Sequence, residues 1–193
     1  MSEVASDTAA RRHRLHVGVA EAGKVHALAR RHREALDRYR EAMRLAEQAR
    51  APQLFARHYL YCMLDSLEHL GATESVVAIA TAAAQATAQA GDTPFHLRDR
   101  AGLIERAAVG HLKRGEREAA GAGFAQVVAL VGAEAQPLSA QLLHWLTRGL
   151  AIDATRLAEA QRRHRYWVVR PGTVDAARAI ETPTSGREAL HGR

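Results

Sequence analysis

Residues 30–46, RRHREALDRYREAMRLA, contain the pattern that decides the fold of this chain. Ala35, Tyr39, Ala42 and Ala46 follow one another at spacings of four, three and four. Side chains at these spacings share one stripe of an α-helix, so the stretch predicts an amphipathic helix whose apolar side faces a partner. Arginines alternate with acidic residues on the outer side, which favours an exposed helix face supported by charge pairs.

The spacing of small and aromatic residues links this helix with a later part of the chain. Two sets of residues share it, with small residues twelve positions apart and an aromatic residue four positions later: Gly23, Ala35 and Tyr39, then Ala108, Ala120 and Phe124. Small residues let two helices approach closely where they cross, and the ring fills the space beside them. A helix, a turn and a second helix with this pattern resemble one unit of a tetratricopeptide repeat (TPR).

The turns between paired helices set the repeat interval. Arg30, Gly71 and Gly115 lie 41 and 44 residues apart, whereas the common TPR period is about 34 residues. The middle pair departs from the pattern, because Leu64 and Val76 occupy its crossing positions and an alanine replaces the aromatic residue. The resemblance implies an all-α, TPR-like α-solenoid of about three helix pairs, followed by C-terminal capping helices. A helical bundle that merely contains helix pairs is the alternative.

Apolar periodicity, together with Pro, Gly and capping residues at the breaks, predicts eight helices. They span about residues 7–31, 33–50, 52–70, 73–90, 95–114 and 116–132, followed by one that begins at Pro137 and one capped by Asp153. We predict a disordered N-terminus at residues 1–6, a TPR-like helical domain at 7–170 and a flexible tail at 171–193. The tail is polar and interrupted by Gly, Pro, Thr and Ser, a composition that disfavours a packed core.

Composition limits the class of protein. Alanine dominates an apolar fraction of 47%, and aromatic residues make up only 5%, which favours helices that approach closely. The net charge of +6 is uneven, with +4 over residues 1–50, −2 over 51–153 and +4 over 154–193. The single cysteine, Cys62, excludes an internal disulfide and fits a reducing compartment. Because the chain has neither a membrane-length apolar run nor a signal-peptide core, we expect a cytoplasmic protein.

The resemblance to TPR proteins implies a concave groove lined by the first helix of each pair. Carried over position by position, the groove residues are Lys24, Leu28, His58, Tyr61, Asp65, His69, Glu105, Val109 and Lys113. Chaperone-binding TPRs hold a terminal carboxylate with Lys, Asn and Arg side chains, and this chain contains no Asn. The groove should therefore suit an internal peptide or a folded partner better than a free C-terminus.

Four potential metal ligands follow one helical stripe: His58, Cys62, Asp65 and His69. A single helix supplies two zinc ligands readily, but four ligands spread over three turns lie too far apart for one ion. We therefore interpret the stripe as groove lining, and we expect no metal or other cofactor. The chain also lacks the sequence patterns of zinc proteases, serine hydrolases and phosphate-binding loops, so we do not expect an enzyme.

A basic run beside two aromatic residues suggests a different function. Arg162, Arg163 and Arg165 adjoin Tyr166 and Trp167, and clustered arginines with aromatic rings suit phosphates and unstacked bases. The other interpretation is a solvated helix end, followed by a segment that packs its tryptophan against the seventh helix. We favour the second interpretation, because basic runs alone often have no function in nucleic-acid binding.

Two functional hypotheses follow. The first is a non-enzymatic protein–protein interaction module, a cytoplasmic bacterial adaptor, scaffold or assembly factor that binds a peptide or protein in its helical-repeat groove. The alternative is a nucleic-acid-associated regulator that uses the basic termini. Trp145 and Trp167 are candidates for capping the array or for joining two copies into a homo-oligomer.

Overall fold

The computed structural model describes residues 2–181, with side chains from Asp7 onward, and every regular element in this range is a helix. The eight α-helices of this range are α1 (Ser2–Leu28), α2 (His32–Gln48), α3 (Gln53–His69), α4 (Thr73–Gln89), α5 (Pro94–Lys113), α6 (Arg117–Val131), α7 (Pro137–Thr147) and α8 (Ala154–Arg163). Two single-turn 3-10 helices follow at Pro171–Thr173 and Ala176–Arg178. The prediction of an all-α fold is confirmed. No helix within residues 2–181 is both long enough and apolar enough to cross a bilayer.

The chain divides into two compact units. Among the described residues, unit 1 consists of residues 2–66 together with 169–181, and unit 2 consists of Leu67–Val168. Within unit 1, α1 packs along α2; within unit 2, α4 packs on α5, α5 on α6 and α6 on α7. Helices thus pack on their neighbours in sequence, which is the order of packing expected of an α-solenoid.

In unit 1, α1 and α2 cross where the sequence has its smallest residues. Gly23, Ala35 and Tyr39 are all buried at this crossing. A methyl group on Gly23 would lie 2.6 Å from Cε1 of Tyr39, so a glycine is needed for the ring to fit. The remaining core of unit 1 is apolar and reaches α3, with Val19, Ala20, Ala42, Ala46 and Tyr59.

In unit 2, α5 approaches two neighbouring helices closely. Ala108, Ala120 and Phe124 are buried between α5 and α6, and a methyl group on Gly123 would lie 2.8 Å from Cβ of Ala108. On the α4 side, a methyl group on Gly110 would lie 2.6 Å from a side-chain carbon of Val77. The glycine that permits the close approach of α5 and α6 is therefore on the second helix of the pair, at Gly123, whereas in unit 1 it is on the first helix, at Gly23.

Six of the eight α-helices within residues 2–181 end in the same left-handed turn. The residues in this conformation have φ values between 49° and 80°: Arg30, Arg50, Gly71, Gly115, Gly149 and Arg165. Two backbone hydrogen bonds close each turn, as after α2, where the N–H of Ala51 donates to Ala46 and the N–H of Arg50 donates to Glu47, both over 2.9 Å. This pair of bonds defines the Schellman motif, which satisfies carbonyl groups at a helix end.

The turn at Gly149 joins α7 to α8 and follows Gly115 by 34 residues. The sequence led us to expect only capping helices in this region. In the structure, these two helices are connected by the same turn that connects α1 to α2, α3 to α4 and α5 to α6. With the turn at Arg50, which joins α2 to α3, five pairs of consecutive helices within residues 2–181 are joined in this way.

We expect Arg50→Gly to stabilise unit 1. Arg50 has a φ of 49°, a conformation that is strained for residues with a side chain and unstrained for glycine, so the gain should be about 0.5–1 kcal/mol. Arg40→Gly is the matched control, because Arg40 is exposed in the middle of α2 and its replacement should cost about 1 kcal/mol. Urea unfolding followed by far-UV circular dichroism measures both. A loss of stability in Arg50→Gly would contradict the assigned turn.

The chain termini differ from the sequence predictions. Helix α1 already begins at Ser2, so the stretch predicted to be disordered at residues 1–6 is helical from its second residue. Residues 171–181, predicted to be a flexible tail, pack against α1, and the second 3-10 helix contacts α1 directly. The rest of the predicted tail, 182–193, lies outside the described residues. The cap of α8 is as expected, since Asp153 accepts the backbone N–H of Arg156 at 2.8 Å. Thr93 caps α5 in the same way, since it accepts the backbone N–H of His96 at 3.3 Å.

Candidate functional site

In unit 1, two buried carboxylates bind backbone N–H groups of the segment formed by residues 169–181. Glu21 on α1 accepts the N–H of Asp175 at 2.9 Å, and Asp65 on α3 accepts the N–H of Val169, also at 2.9 Å. The two acceptors are only 8% and 2% exposed. Hydrogen bonds to an ionised acceptor are stronger than bonds between neutral groups. Because the donors are main-chain groups, this part of the site recognises a peptide backbone and not a particular side chain.

The same segment contacts the backbone of α1 at a glycine. The N–H of Ile180 donates to the carbonyl oxygen of Gly18 at 2.9 Å. A methyl group on Gly18 would lie 2.5 Å from Cδ1 of Ile180 and 2.9 Å from the carbonyl oxygen of Arg178. The segment therefore lies on α1 more closely than any residue with a side chain at position 18 would allow.

The last described residue of the segment, Glu181, contacts two cationic or polar side chains of unit 1. One oxygen of its carboxylate lies 2.9 Å from Nε2 of His26 and the other lies 3.2 Å from Nε of Arg38. The side chains of His26 and Arg38 are 16% and 12% exposed, whereas that of Glu181 is 59% exposed. The receptor side of this contact is thus largely enclosed, and the bound carboxylate faces solvent.

Lys24 and Asp65, two of the predicted groove residues, are not open to a visiting molecule. The ammonium group of Lys24 lies 2.8 Å from the second oxygen of Glu21 and is buried with it. Asp65 is buried and bound to the segment, as described above. Asp65 does bind a peptide segment, but that segment belongs to the chain itself. Burial of Lys24 and Asp65 corrects the prediction of an open groove at these two positions.

The other predicted groove residues of unit 1 lie at intermediate or exposed positions. Leu28 is 41% exposed, and His58 and Tyr61 are half-buried. Nε2 of His58 lies 3.8 Å from Sγ of Cys62. Burial, with a further contribution from the nearby Lys24 charge, lowers the pKa of His58, so its imidazole is neutral at neutral pH.

In unit 2, a fully buried carboxylate binds four other side chains. Glu68 accepts hydrogen bonds from the hydroxyl of Tyr166 at 2.8 Å and from the amide of Gln161 at 2.9 Å. The ammonium group of Lys113 lies 2.7 Å from it and Nη1 of Arg106 lies 3.6 Å away. A charge can remain in an apolar interior only when it is paired and hydrogen-bonded in this way. Lys113, predicted to contact a partner, instead pairs with Glu68.

The aromatic residues proposed for base stacking pack within unit 2. Tyr166 is buried, with the guanidinium carbon of Arg106 3.9 Å from its ring centroid, and burial raises the pKa of its hydroxyl. Trp167 stacks on His69 with 4.3 Å between ring centroids. The three arginines proposed for phosphate contacts, Arg162, Arg163 and Arg165, are exposed. The three arginines are thus exposed, whereas the rings of Tyr166 and Trp167, on which nucleotide bases would have to stack, pack against other side chains of unit 2.

Glu105 has a structural role that the sequence did not indicate. Its carboxylate accepts the hydroxyl of Ser139 at 2.6 Å and the backbone N–H of the same residue at 3.2 Å. Ser139 lies in the first turn of α7, so Glu105 satisfies free N–H groups at that helix end. Burial raises the pKa of Glu105 although the bonds from Ser139 favour its ionised form. Glu105 and its neighbour Val109 are both buried, which corrects their assignment to an open groove.

Within residues 7–181, no three His, Cys, Asp or Glu side chains lie close enough together to hold a metal ion.

Trp145, proposed for capping or self-association, is half-buried and has the guanidinium carbon of Arg156 4.2 Å from its ring centroid. The sequence reasoning missed Gly18 and Glu21 of unit 1, which contact the peptide segment, and Glu68 and Arg106 of unit 2, which pair with each other. One signal was present, since Glu68 lies beside apolar residues on α3.

The candidate site is therefore a set of buried acceptors and enclosed side chains that bind a peptide segment on α1 and α3 of unit 1. Comparisons with known proteins add no assignment, because no protein-family model matches the chain and no curated protein or solved structure matches it either. The TPR resemblance remains a prediction that rests on the helix-crossing residues and the repeated turns.

Proposed function

We propose that this chain is a non-enzymatic binding module that holds a segment of a protein partner on the α1 and α3 faces of unit 1. In this proposal it acts as a cytoplasmic adaptor or assembly factor. The observation that carries the proposal is that these faces already bind a peptide segment, residues 169–181, through its backbone. Acceptors aimed at main-chain N–H groups bind other segments in the same path with little dependence on sequence.

Rigidity of the acceptors supports the proposal further. Glu21 is fixed by its ion pair with Lys24, and both side chains are buried. A binding surface that is already ordered loses little conformational entropy when a ligand binds. The cost of ordering then falls mainly on the incoming segment, as it does when flexible peptides bind folded domains.

The experiment uses a fluorescent peptide that copies residues 169–181, VRPGTVDAARAIE. It is titrated by fluorescence anisotropy into the full chain and into a full-length variant with Ile180→Asp and Glu181→Lys, here termed the loosened chain. We expect saturable one-to-one binding to the loosened chain. Binding to the unmodified chain should be at least about tenfold weaker, because its tethered segment competes at an effective concentration in the millimolar range.

The control removes one acceptor from the face. Asp65→Ala in the loosened chain deletes the group that binds the N–H of Val169, and the affinity should fall by about tenfold. Circular dichroism verifies that each variant is helical. A folded loosened chain that does not bind the peptide would refute the proposed function.

A further inference from the structure

The way in which Ile180 and Glu181 are held indicates the chemistry of the partner segment. We propose that Gly18, His26 and Arg38 form a two-part recognition site for an aliphatic residue followed by an acidic residue. A partner segment with this residue pair displaces the end of the chain's own segment. This inference rests on the proposed function and specifies its ligand.

The aliphatic part of the site is the surface of α1 at Gly18. The hydrogen bond from Ile180 N–H to Gly18 O brings the incoming backbone onto the helix. Of the two close contacts at position 18, that with the Arg178 carbonyl involves backbone, so it is not relieved by rotating a side chain. Glycine weakens a helix interior relative to alanine. The close contact with the Arg178 carbonyl therefore explains why a glycine, Gly18, occurs in the interior of α1.

The acidic part of the site consists of one oriented donor, His26, and one guanidinium group, that of Arg38. Nε of Arg31 donates to Nδ1 of His26 at 2.9 Å, so Nδ1 acts as the acceptor and Nε2 carries the proton that faces Glu181. Arg38, on α2, forms an ion pair with the other carboxylate oxygen, at 3.2 Å from its Nε. Each oxygen of the carboxylate thus has its own partner, an arrangement that selects a planar acid over an amide or a hydroxyl.

The chain's own residues occupy this site in an exchangeable way. Ile180 is 37% exposed and the Glu181 side chain is 59% exposed, whereas the two donor side chains that bind the acid are mostly enclosed. A competing segment therefore finds the donors in place and replaces two residues that are only partly covered. The recognition unit is short, because it consists of two consecutive residues.

The test compares three labelled peptides on the loosened chain: the copy of residues 169–181, the same peptide with Glu181→Lys, and the same peptide with Ile180→Asp. Each altered peptide should bind at least tenfold more weakly than the copy. Arg38→Glu, made in the full chain with Ile180→Asp alone so that the tethered segment keeps its acidic residue at position 181, should reverse the charge preference, so that the Lys peptide binds and the original peptide does not. Gly18→Ala should weaken binding of the original peptide by at least tenfold.

Two control substitutions match these changes at positions outside the site. Arg40→Glu alters the next outward-facing arginine of α2, which pairs with Asp37, and should leave the order of the three affinities unchanged. Gly121→Ala places a methyl group in α6 at an ordinary 3.9 Å from Leu146, and should leave peptide binding unchanged. These two controls distinguish the loss of specific contacts at the recognition site from general effects of charge and helix stability on peptide affinity.

The outcomes distinguish the two proposals. Equal affinity for all three peptides would overturn the aliphatic–acidic preference and leave the proposed function intact. Failure of the folded loosened chain to bind any peptide would instead refute the proposed function. The site could also be occupied by residues 169–181 of a second copy of this chain, and sedimentation of the unmodified chain tests this. Dimers formed by exchange of this segment would overturn the assignment to a partner protein.

Discussion

Glu68→Ala is expected to destabilise unit 2 by about 3–5 kcal/mol, because it removes a buried carboxylate that pairs with an enclosed guanidinium, that of Arg106. The Arg106 side chain is 3% exposed and that of Glu68 is fully buried. Without the carboxylate, Tyr166 and Gln161 also lose the acceptor of their hydrogen bonds. Leaving several buried donors unsatisfied is costly, since each keeps its desolvation penalty without a compensating bond.

The measurement can be confined to unit 2, because both tryptophans, Trp145 and Trp167, belong to it. Urea unfolding followed by tryptophan fluorescence therefore reports on the unit that carries the substitution. Glu116→Ala is the matched control, since Glu116 pairs with Arg114 and His111 at the surface and should contribute no more than about 1 kcal/mol. Similar losses in the two variants would contradict the buried role of Glu68.

Tyr39→Ala is expected to destabilise unit 1 by about 3–5 kcal/mol, the range for removing a buried aromatic ring. The ring is fully buried beside Gly23, where it fills the space between α1 and α2. Its removal leaves a cavity that the two helices cannot close, because they already touch at the glycine. Far-UV circular dichroism during urea unfolding, with hydrogen exchange in α1 and α2, measures the loss.

Tyr39→Phe separates the ring from its hydroxyl group. Among residues 7–181 the hydroxyl has no hydrogen-bond partner, and burial, with nearby Cys62 and two acidic residues, raises the pKa of Tyr39. An unpaired buried hydroxyl costs about 1–3 kcal/mol, so the phenylalanine variant should be as stable as the original chain or more stable. A loss as large as that in Tyr39→Ala would show that the hydroxyl, and not the ring, stabilises the crossing.

The helices were predictable because their signals are local. Periodic apolar residues mark the buried stripe of α2, Thr93 and Asp153 mark two helix starts, and Gly71 and Gly115 mark two helix ends. Each of these signals acts within a few residues and does not depend on the remainder of the chain. Three of the six left-handed turns are exceptions to the usual residue preference, because arginines and not glycines adopt the conformation at positions 30, 50 and 165.

The site was only partly predictable because its contacts join residues far apart in sequence. The TPR resemblance assigned Asp65 to an open groove, and nothing local indicated that residues 169–181 of the same chain would bind it. The composition of residues 169–181 predicted flexibility. Composition cannot show that backbone N–H groups of this segment donate hydrogen bonds to buried carboxylates elsewhere in the chain. Glu68 illustrates the same difficulty, since the partners that allow its burial lie 93 and 98 residues later.

The division of the chain into units has a consequence for the order of events during synthesis. Unit 2 is one uninterrupted stretch, whereas unit 1 combines residues that precede it with residues that follow it, and Asp175 is 154 residues from Glu21. Since chains emerge from the ribosome N-terminus first and domains fold as units, the acceptors on α1 and α3 remain uncovered until residues 169–181 have been synthesised. The face that we assign to partner binding is thus accessible in every nascent chain before this segment covers it.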